Sequence, residues 1–301
     1  MPDPYPLVDV SAWTSETEEQ MGSKEKVWLE TPDRVSHLFK FIRVDRNGRV
    51  YGDDWAEKVA AELARALEVP AASVELATGM PRPGVICRRL NDPERVELAH
   101  GNELLGAREP SYDVTRKREH PLYTVEAVRP CLQEVAPPVD VPAVSDLDGF
   151  GVWAGYLVLD ALIANTDRHH ENWGVLIDRA TGSRALAPSF DHGSSLGFNV
   201  APERVAEFVD GRRSVEQWCR RGRSTHFAGR PGLVAVALTA LESSGTLDHW
   251  LDRIHDLRTE QIMTILQRVP DSRMSDGVRI FVGRLLETNR RRLLDVCDRA
   301  G

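Results

Sequence analysis

The chain has 301 residues, with 42% hydrophobic and 28% charged residues, which are ordinary values for a soluble globular protein. This length is sufficient for one large domain or for two lobes. The formal net charge of −8 argues against broad binding to nucleic-acid backbones, which requires a basic surface. No run of eighteen apolar residues occurs, so we expect neither a transmembrane helix nor a membrane partner.

The N-terminal segment and the cysteines indicate a cytoplasmic protein. Residues 1–20 lack the basic and apolar regions of a secretory signal. Four cysteines are scattered without a CxxC pair, at positions 87, 131, 219 and 297. This pattern predicts reduced thiols in the cytoplasm and gives no zinc framework.

The first ninety residues are predicted to be β-rich with one inserted helix. The β-prone runs expected to form strands are at 27–29, 37–42, 74–77 and 84–90. The segment Asp54–Leu67 carries apolar residues at helical spacing, and Asp53 or Asp54 suits its N-cap.

From about residue 98 onward the pattern becomes helical. A helix is expected to begin at Val125, and Gly151–Ile163 is apolar nearly all round, which is typical of a buried helix. A short strand is expected at 174–177, and three amphipathic segments follow, at 233–241, 247–267 and 278–296. We therefore predict an α+β fold of two lobes, a β-rich lobe over residues 1–90 and a helical lobe over residues 91–301.

The most informative stretch is Asn165–Gly174, together with Ser189–Gly193 downstream. Asp167 and Asn172 lie five residues apart, the interval of the protein-kinase catalytic loop, in which the Asp orients a hydroxyl and the Asn holds Mg²⁺. Asp191, on a following turn, supplies a second oxygen ligand of the kind that Mg²⁺ prefers. We interpret these residues as a phosphoryl-transfer site; the alternative is a loop with capping residues after a helix.

Lys40 lies between Phe39 and Phe41 in an apolar predicted strand. Burial of a bare ammonium group is costly, so this lysine must pair with a carboxylate or face an anion. A kinase uses such a lysine to contact nucleotide phosphates and to pair with a helix glutamate, and Glu57 is the candidate partner. The alternative is a lysine that snorkels on an exposed sheet face.

Weaker signals leave their alternatives open. Gly22, Ser23 and Lys26 form a candidate phosphate-covering turn, but a single glycine makes neither a GxGxxG nor a Walker A loop, and an ordinary charged hairpin fits equally. Three histidines, His169, His170 and His192, suggest zinc, yet adjacent histidines do not easily share one metal ion and no HExxH spacing occurs.

An arginine cluster around Trp218 and Phe227 is either a solvated face or a docking patch for an acidic or phosphorylated protein partner. Its members are Arg212, Arg213, Arg220, Arg221, Arg223 and Arg230.

Taken together, the chain resembles the HipA-like serine/threonine kinases, bacterial toxin-type enzymes distantly related to protein kinases. The resemblance rests on four segments, Asn165–His169 with Asn172, Ala187–Asp191 with the following Ser194–Leu196, Leu38–Phe41 and Gly22–Lys26. It implies a bilobal protein-kinase-like fold and an ATP- and Mg²⁺-dependent kinase acting on Ser or Thr of a protein substrate. The roles that it implies are Asp167 as catalytic base, Asn172 and Asp191 as Mg²⁺ ligands, Lys40 on the nucleotide phosphates, and Cys87, Arg88 and Leu90 in an adenine-contacting hinge.

The chain departs from that family in two respects. Full-length family toxins carry an additional N-terminal domain that meets a DNA-binding antitoxin, and here the kinase-like part begins within the first twenty residues, so we expect that domain to be missing. Family members often place a phosphorylatable serine shortly before the loop glycine, where this chain has Glu18–Met21. Regulation by an antitoxin or by autophosphorylation is therefore not implied for this chain.

Three other functions compete with a protein kinase. One is a kinase whose acceptor is a small molecule or a lipid. Another is a catalytically silent ATP-binding module that acts as an interaction protein. The third is a metal-dependent hydrolase that uses Asp167, His169, His170 and Asp191 without a strand lysine.

Overall fold

The protein is described by a computed structural model covering residues 2–19, 25–139 and 141–295. Six strands form one sheet, β1 (Leu7–Asp9), β2 (Thr14–Glu19), β3 (Lys26–Glu30), β4 (Ser36–Phe41), β5 (Val74–Thr78) and β6 (Gly84–Arg88). Their spatial order is β1-β5-β6-β4-β3-β2, with β1 and β5 parallel and the other neighbours antiparallel. The expected β-rich first part is therefore present.

Alternation along β3 and β4 divides this sheet into two faces. Phe39 and Phe41 lie in one apolar cluster with Val27, Leu29 and Ile86. Because successive strand residues point to opposite faces, Lys40 lies on the other face. The side chain of Lys40 thus turns away from the phenylalanine cluster.

Helix α1 (Asp53–Ala66) follows the sheet's first four strands, close to where the spacing predicts a helix. The expectation of an aspartate N-cap is wrong, because Gly52 occupies that position. A Cβ atom on Gly52 would lie 2.0 Å from the indole nitrogen of Trp55, so only glycine fits against this ring. Asp53 and Asp54 occupy the first helical turn, where negative charge interacts favourably with the helix dipole.

A second sheet contains β7 (Val96–His100), β8 (Gly174–Asp178) and β9 (Arg184–Leu186), antiparallel in the order β7-β8-β9. The strand β8 was predicted, but the onset of helix at residue 98 is wrong because β7 continues to His100. The strand β7 forms because it pairs with β8, whose residues lie far along the chain. This pairing leaves no local sequence pattern in residues 96–100 that would predict a strand.

Nine helices of the described part follow α1: α2 (Gly101–Arg108), α3 (Val125–Leu132), α4 (Gly149–Leu162), α5 (Pro202–Val209), α6 (Val215–Arg220), α7 (Leu233–Ser244), α8 (Leu247–Asp256), α9 (Thr259–Gln267) and α10 (Asp276–Asp295). Every residue of α4 is buried, as its apolar composition predicts. The segment 247–267 forms two helices and not one, because Leu257 and Arg258 adopt extended backbone between α8 and α9. None of the described helices is long and apolar enough to cross a membrane.

The two sheets and the helices share hydrophobic packing. Trp55 and Leu63 of α1 belong to the same core as Trp153 of α4 and Leu285 of α10. The chain leaves the first sheet at Arg88 and enters the second at Val96. The predicted lobe boundary after residue 90 falls in this interval and stays a prediction.

Candidate active site

Lys40 stands between two carboxylates. Its Nζ lies 3.3 Å from Oε1 of Glu57 on α1 and 3.1 Å from Oδ1 of Asp191. Burial alone would lower the pKa of Lys40, but the charges of Asp191 and Glu57 outweigh it and hold that pKa well above its ordinary value. Lys40 is therefore a buried, charged ammonium group aimed at the Asp191 turn.

Glu57 also fixes the backbone of that turn. Its Oε1 accepts a hydrogen bond from the amide of His192 at 3.0 Å, and its Oε2 accepts one from Gly193 at 2.9 Å. Asp191 itself has a φ of 60°, a left-handed conformation that is uncommon for residues other than glycine. Glu57 thus stabilises a strained turn that presents the Asp191 carboxylate beside Lys40.

The catalytic-loop candidate begins where α4 ends. Ala164 has a φ of 53°, which reverses the chain, and the amide of Asn165 donates to the carbonyl of Asp160 at 2.9 Å. Oδ1 of Asn165 accepts a hydrogen bond from the amide of Asp167 at 3.0 Å. Nδ2 of Asn165 donates a hydrogen bond to the Asp160 carboxylate at 2.7 Å. The buried helix therefore sets the position of Asp167.

Arg168 connects this loop to the Asp191 segment. Its guanidinium binds the Asp160 carboxylate in a bidentate pair, with Nε to Oδ2 at 2.7 Å and Nη2 to Oδ1 at 2.9 Å. Nη1 donates to the carbonyl of Asn172 at 2.6 Å, and Nη2 donates to Oγ of Ser189 at 3.0 Å. Both ions are nearly fully buried, so this pair positions both halves of the site.

Only one carboxylate oxygen of Asp167 is in hydrogen-bond contact with another described residue. Its Oδ1 lies 2.9 Å from Nε2 of His226, and among the described residues no hydrogen bond reaches Oδ2. Burial would raise the pKa of Asp167, but the His226 hydrogen bond and the nearby His169 lower it below the ordinary value. The carboxylate is therefore ionised at neutral pH, and 38% of the side chain is exposed.

Asn172 and Asp191 offer oxygen atoms suited to a divalent cation. The side-chain nitrogen Nδ2 of Asn172 donates a hydrogen bond to the carbonyl of Asp167 at 2.8 Å. The side-chain oxygen Oδ1 of Asn172 accepts no hydrogen bond from the described residues. The charge of Asp191 raises the pKa of Asp167, in opposition to His226 and His169. No group of three His, Cys, Asp or Glu side chains among the described residues is arranged to hold a metal ion. Mg²⁺ commonly uses one or two carboxylates plus substrate phosphates, so this donor set fits it.

The predicted hinge borders a cavity. Cys87 and Arg88 end β6, and Leu90 lines a cavity of about 830 Å³ together with Leu176 of β8 and the loop residue Pro138. Lys40 and Asp191 do not line this cavity. It therefore offers a largely apolar space beside the hinge, separate from the charged part of the site.

The proposed phosphate-covering turn is only partly described. Gly22 and Ser23 lie outside the described residues. Lys26 begins β3 and lies opposite Lys40 of β4 in the strand register, so both side chains are on the same sheet face.

One protein-family model matches most of the chain. The model of the HipA-like C-terminal domain matches residues 20–273. The chain belongs to this family. No curated protein sequence matches the chain significantly.

Solved structures agree with the fold of this HipA-like domain. The Helicobacter pylori proinflammatory kinase CtkA superimposes with a TM-score of 0.75 at 19% identity, covering 97% of each chain. HipA of Shewanella oneidensis MR-1, solved with HipB and operator DNA, gives a TM-score of 0.60 at 12% identity, covering 96% of this chain and 70% of that one. The predicted α+β, protein-kinase-like fold is confirmed.

The three histidines that suggested zinc are engaged separately in the HipA-like domain. Nδ1 of His170 lies 2.7 Å from the Tyr112 hydroxyl, and Nε2 of His192 lies 2.7 Å from Oγ of Ser189. The rings of His169 and His170 are 6.3 Å apart and almost perpendicular. These contacts position loops and do not direct the three rings at one point.

Burial of these rings makes stability depend on pH. Burial, reinforced for His192 by the charge of Arg168, lowers the pKa of His170 to about 4 and that of His192 to about 3. Both rings stay neutral in the folded protein, whereas the unfolded chain binds protons below roughly pH 6.5. Stability is therefore lost as pH falls from roughly 6.5 towards the folded values.

We expect the free energy of unfolding, measured by urea denaturation in metal-free buffer, to fall by on the order of 3 kcal/mol at pH ~4 through His192 alone. His192→Gln should lose that part of the pH dependence. His255→Gln, at an exposed ring, should keep it. A stability that is flat between pH ~4 and ~6.5 would contradict the neutral burial of these rings.

Ion pairs occupy much of the arginine cluster. Arg212 pairs with Asp210, Arg213 with Glu207, Arg220 with Glu216, and Arg230 with Glu119. Exposed pairs of this kind contribute little to stability. A partner at this surface stays a prediction.

Sequence reasoning missed three residues that hydrogen-bond to the candidate site residues or to Arg168, namely Asp160, Ser189 and His226. Asp160 had a usable signal, because it is a charged residue in an otherwise apolar helix and such a residue must be paired. Ser189 lies in the motif but resembles an ordinary turn serine. His226 lies in the arginine cluster and reaches the site only through tertiary packing, which leaves no local signal.

Proposed function

We propose that this HipA-like domain is an ATP- and Mg²⁺-dependent kinase that phosphorylates a Ser or Thr of a protein substrate. The family and the fold support a kinase-type phosphotransferase. The observation that carries the finer proposal is the Lys40–Glu57–Asp191 arrangement together with an ionised Asp167 in a fixed loop.

Each residue has a role in the proposed transfer. The acceptor hydroxyl oxygen bonds to the γ-phosphorus of ATP, while the bond from that phosphorus to the β,γ-bridging oxygen breaks and ADP leaves. The hydroxyl proton passes to Oδ2 of Asp167, the oxygen that His226 leaves open. Lys40 faces the phosphates, and Glu57 keeps its ammonium group oriented.

Asn172 and Asp191 would hold Mg²⁺, which when bound neutralises phosphate charge. The ion pair between Lys40 and Asp191 supports a site in which the nucleotide phosphates and the cation would meet beside these two residues. Gly22, Ser23 and Lys26 are proposed to cover the phosphates. Cys87, Arg88 and Leu90 are proposed to contact the adenine.

The proposal extends to organisation and location. Residues 1–90 would form the nucleotide-binding lobe and residues 91–301 the catalytic lobe. A cytoplasmic location is proposed from the sequence, because its cysteines are scattered without a CxxC pair.

Lys40→Ala separates a kinase from a metal-dependent hydrolase. We expect transfer of labelled γ-phosphate from ATP to protein in a bacterial extract, dependent on Mg²⁺ and reduced about 100-fold in this variant. Arg204→Ala, which removes an exposed cation from α5, is the matched control and should transfer at the wild-type rate.

Phosphoamino-acid analysis of the labelled product then identifies the acceptor. Label on Ser or Thr supports the proposal. ATP hydrolysis retained in Lys40→Ala would indicate the hydrolase, and Mg²⁺-dependent ATP binding without transfer would indicate a silent binding module. Label confined to small molecules or lipids would move the acceptor to that class.

A further inference from the structure

His226 has both ring nitrogens against hydrogen-bond acceptors. Nδ1 lies 2.7 Å from the carbonyl oxygen of Lys117, and Nε2 lies 2.9 Å from Oδ1 of Asp167. A carbonyl oxygen cannot donate, and an ionised carboxylate cannot donate either. A neutral imidazole has one N–H and can donate to only one of these two acceptors. The lone pair of its other nitrogen would then face the second acceptor without a hydrogen bond.

The ring is also fixed in place by its backbone. The amide of His120 donates to the His226 carbonyl at 3.0 Å, and the hydroxyl of Thr225 donates to the carbonyl of Thr166 at 2.8 Å. Only 4% of the His226 side chain is exposed. The ring therefore cannot turn away to relieve a mismatched contact without moving the catalytic loop.

The surrounding charges favour a cation on this ring. From the catalytic loop, Asp167 is in hydrogen-bond contact, and the ring of His169 is 5.2 Å away with a pKa lowered by burial to about 4, so it is neutral. Glu171, also on that loop, is ion-paired with the ammonium group of Lys117. From the facing segment, His120 donates its Nε2 proton to the carbonyl of Asp113 and stays neutral, because burial lowers its pKa.

Three exposed residues on the segments that carry and face His226 are also charged. Arg230 and Glu119 neutralise each other in an ion pair at 3.2 Å. Arg223, on the segment that carries His226, is exposed to solvent, which screens its charge. Asp167 is therefore the counter-charge in contact with the ring.

We propose that His226 is a positioning residue that holds Oδ1 of Asp167 as a doubly protonated imidazolium, leaving Oδ2 to take the acceptor's proton. This inference rests on the proposed kinase function for its catalytic meaning, but the protonation of the ring can be measured without any substrate. No bond is made or broken at His226, and its proton stays on the ring throughout.

Nitrogen NMR of the full chain labelled with ¹⁵N-histidine tests the ring directly. At about pH 7.5 we expect both His226 nitrogens to carry protons, because each lies against an acceptor. The spectrum of His226→Gln assigns the signals. In Asp167→Ala we expect Nε2 to lose its proton at the same pH. A neutral His226 ring in the wild type, or a ring that stays doubly protonated in Asp167→Ala, would overturn the proposal.

Kinetics test the positioning role. His226→Gln should lower kcat about 10- to 100-fold with little change in the KM for ATP, because a carboxylate displaced by about 1 Å is enough for such a loss. His255→Gln is the control and should match the wild type.

The NMR and kinetic experiments distinguish a wrong proposal for His226 from a wrong proposal for the kinase function. A wild-type kcat in His226→Gln, in a variant whose Tm matches the wild type, would contradict the positioning role. A wild-type chain that transfers no phosphate would contradict the proposed kinase function, and the NMR result would still decide the state of the ring.

Discussion

Asp167→Asn should lower kcat about 1000-fold, within the range that a positioned general base contributes, and leave the KM for ATP almost unchanged. Asparagine keeps the size of the side chain and an oxygen that accepts the His226 N–H, so the loop should keep its conformation. What it loses is the negative oxygen that takes up the hydroxyl proton. A fall in kcat without a change in nucleotide binding is the expected result.

Steady-state transfer with saturating acceptor, together with ATP titrations, measures both constants. Asp252→Asn, which makes the same change on the exposed face of α8, should behave as the wild type. Activity retained within about tenfold in Asp167→Asn would remove Asp167 from the reaction, because general acid–base catalysis contributes at least about 100-fold. A raised KM for ATP with normal kcat would instead place Asp167 at the nucleotide.

The parts of the fold that follow from local pattern were predictable. Phe39 and Phe41 flank Lys40 in a period of two, which is enough to predict a strand with its lysine on the opposite face. The helix α4 is apolar nearly all round, and its burial follows directly. By contrast, β7 pairs with a strand far along the chain, and the break between α8 and α9 depends on how each helix packs.

The candidate site divides in the same way. The residues Lys40, Glu57 and Asp191 were expected together, and the structure brings them into contact. Asp167 and Asn172 lie in one loop as their spacing predicts, with roles that stay predictions. The network behind them was not visible, because Asp160, Ser189 and His226 act through hydrogen bonds that only the folded chain creates.

Asp160→Asn should lower the free energy of unfolding by about 3–5 kcal/mol, because it leaves the guanidinium of Arg168 buried without its counter-charge. Urea denaturation measures the loss. Glu216→Gln breaks the exposed pair with Arg220 and is the matched control, with an expected change below about 1 kcal/mol. Equal losses in the two variants would mean that the Asp160–Arg168 pair is not desolvated as the structure has it.

The double variant Asp160→Leu with Arg168→Met distinguishes stability from positioning. Replacing both members of a buried ion pair with apolar side chains of similar size is often neutral for stability, so we expect most of the loss seen in Asp160→Asn to be recovered. Activity should stay low, because Arg168 also holds the Asn172 carbonyl and the Ser189 hydroxyl, and methionine donates to neither. A double variant that is both stable and active would show that packing alone sets the distance between Asp167 and Asp191. Stable but inactive protein would assign that task to the Arg168 hydrogen bonds.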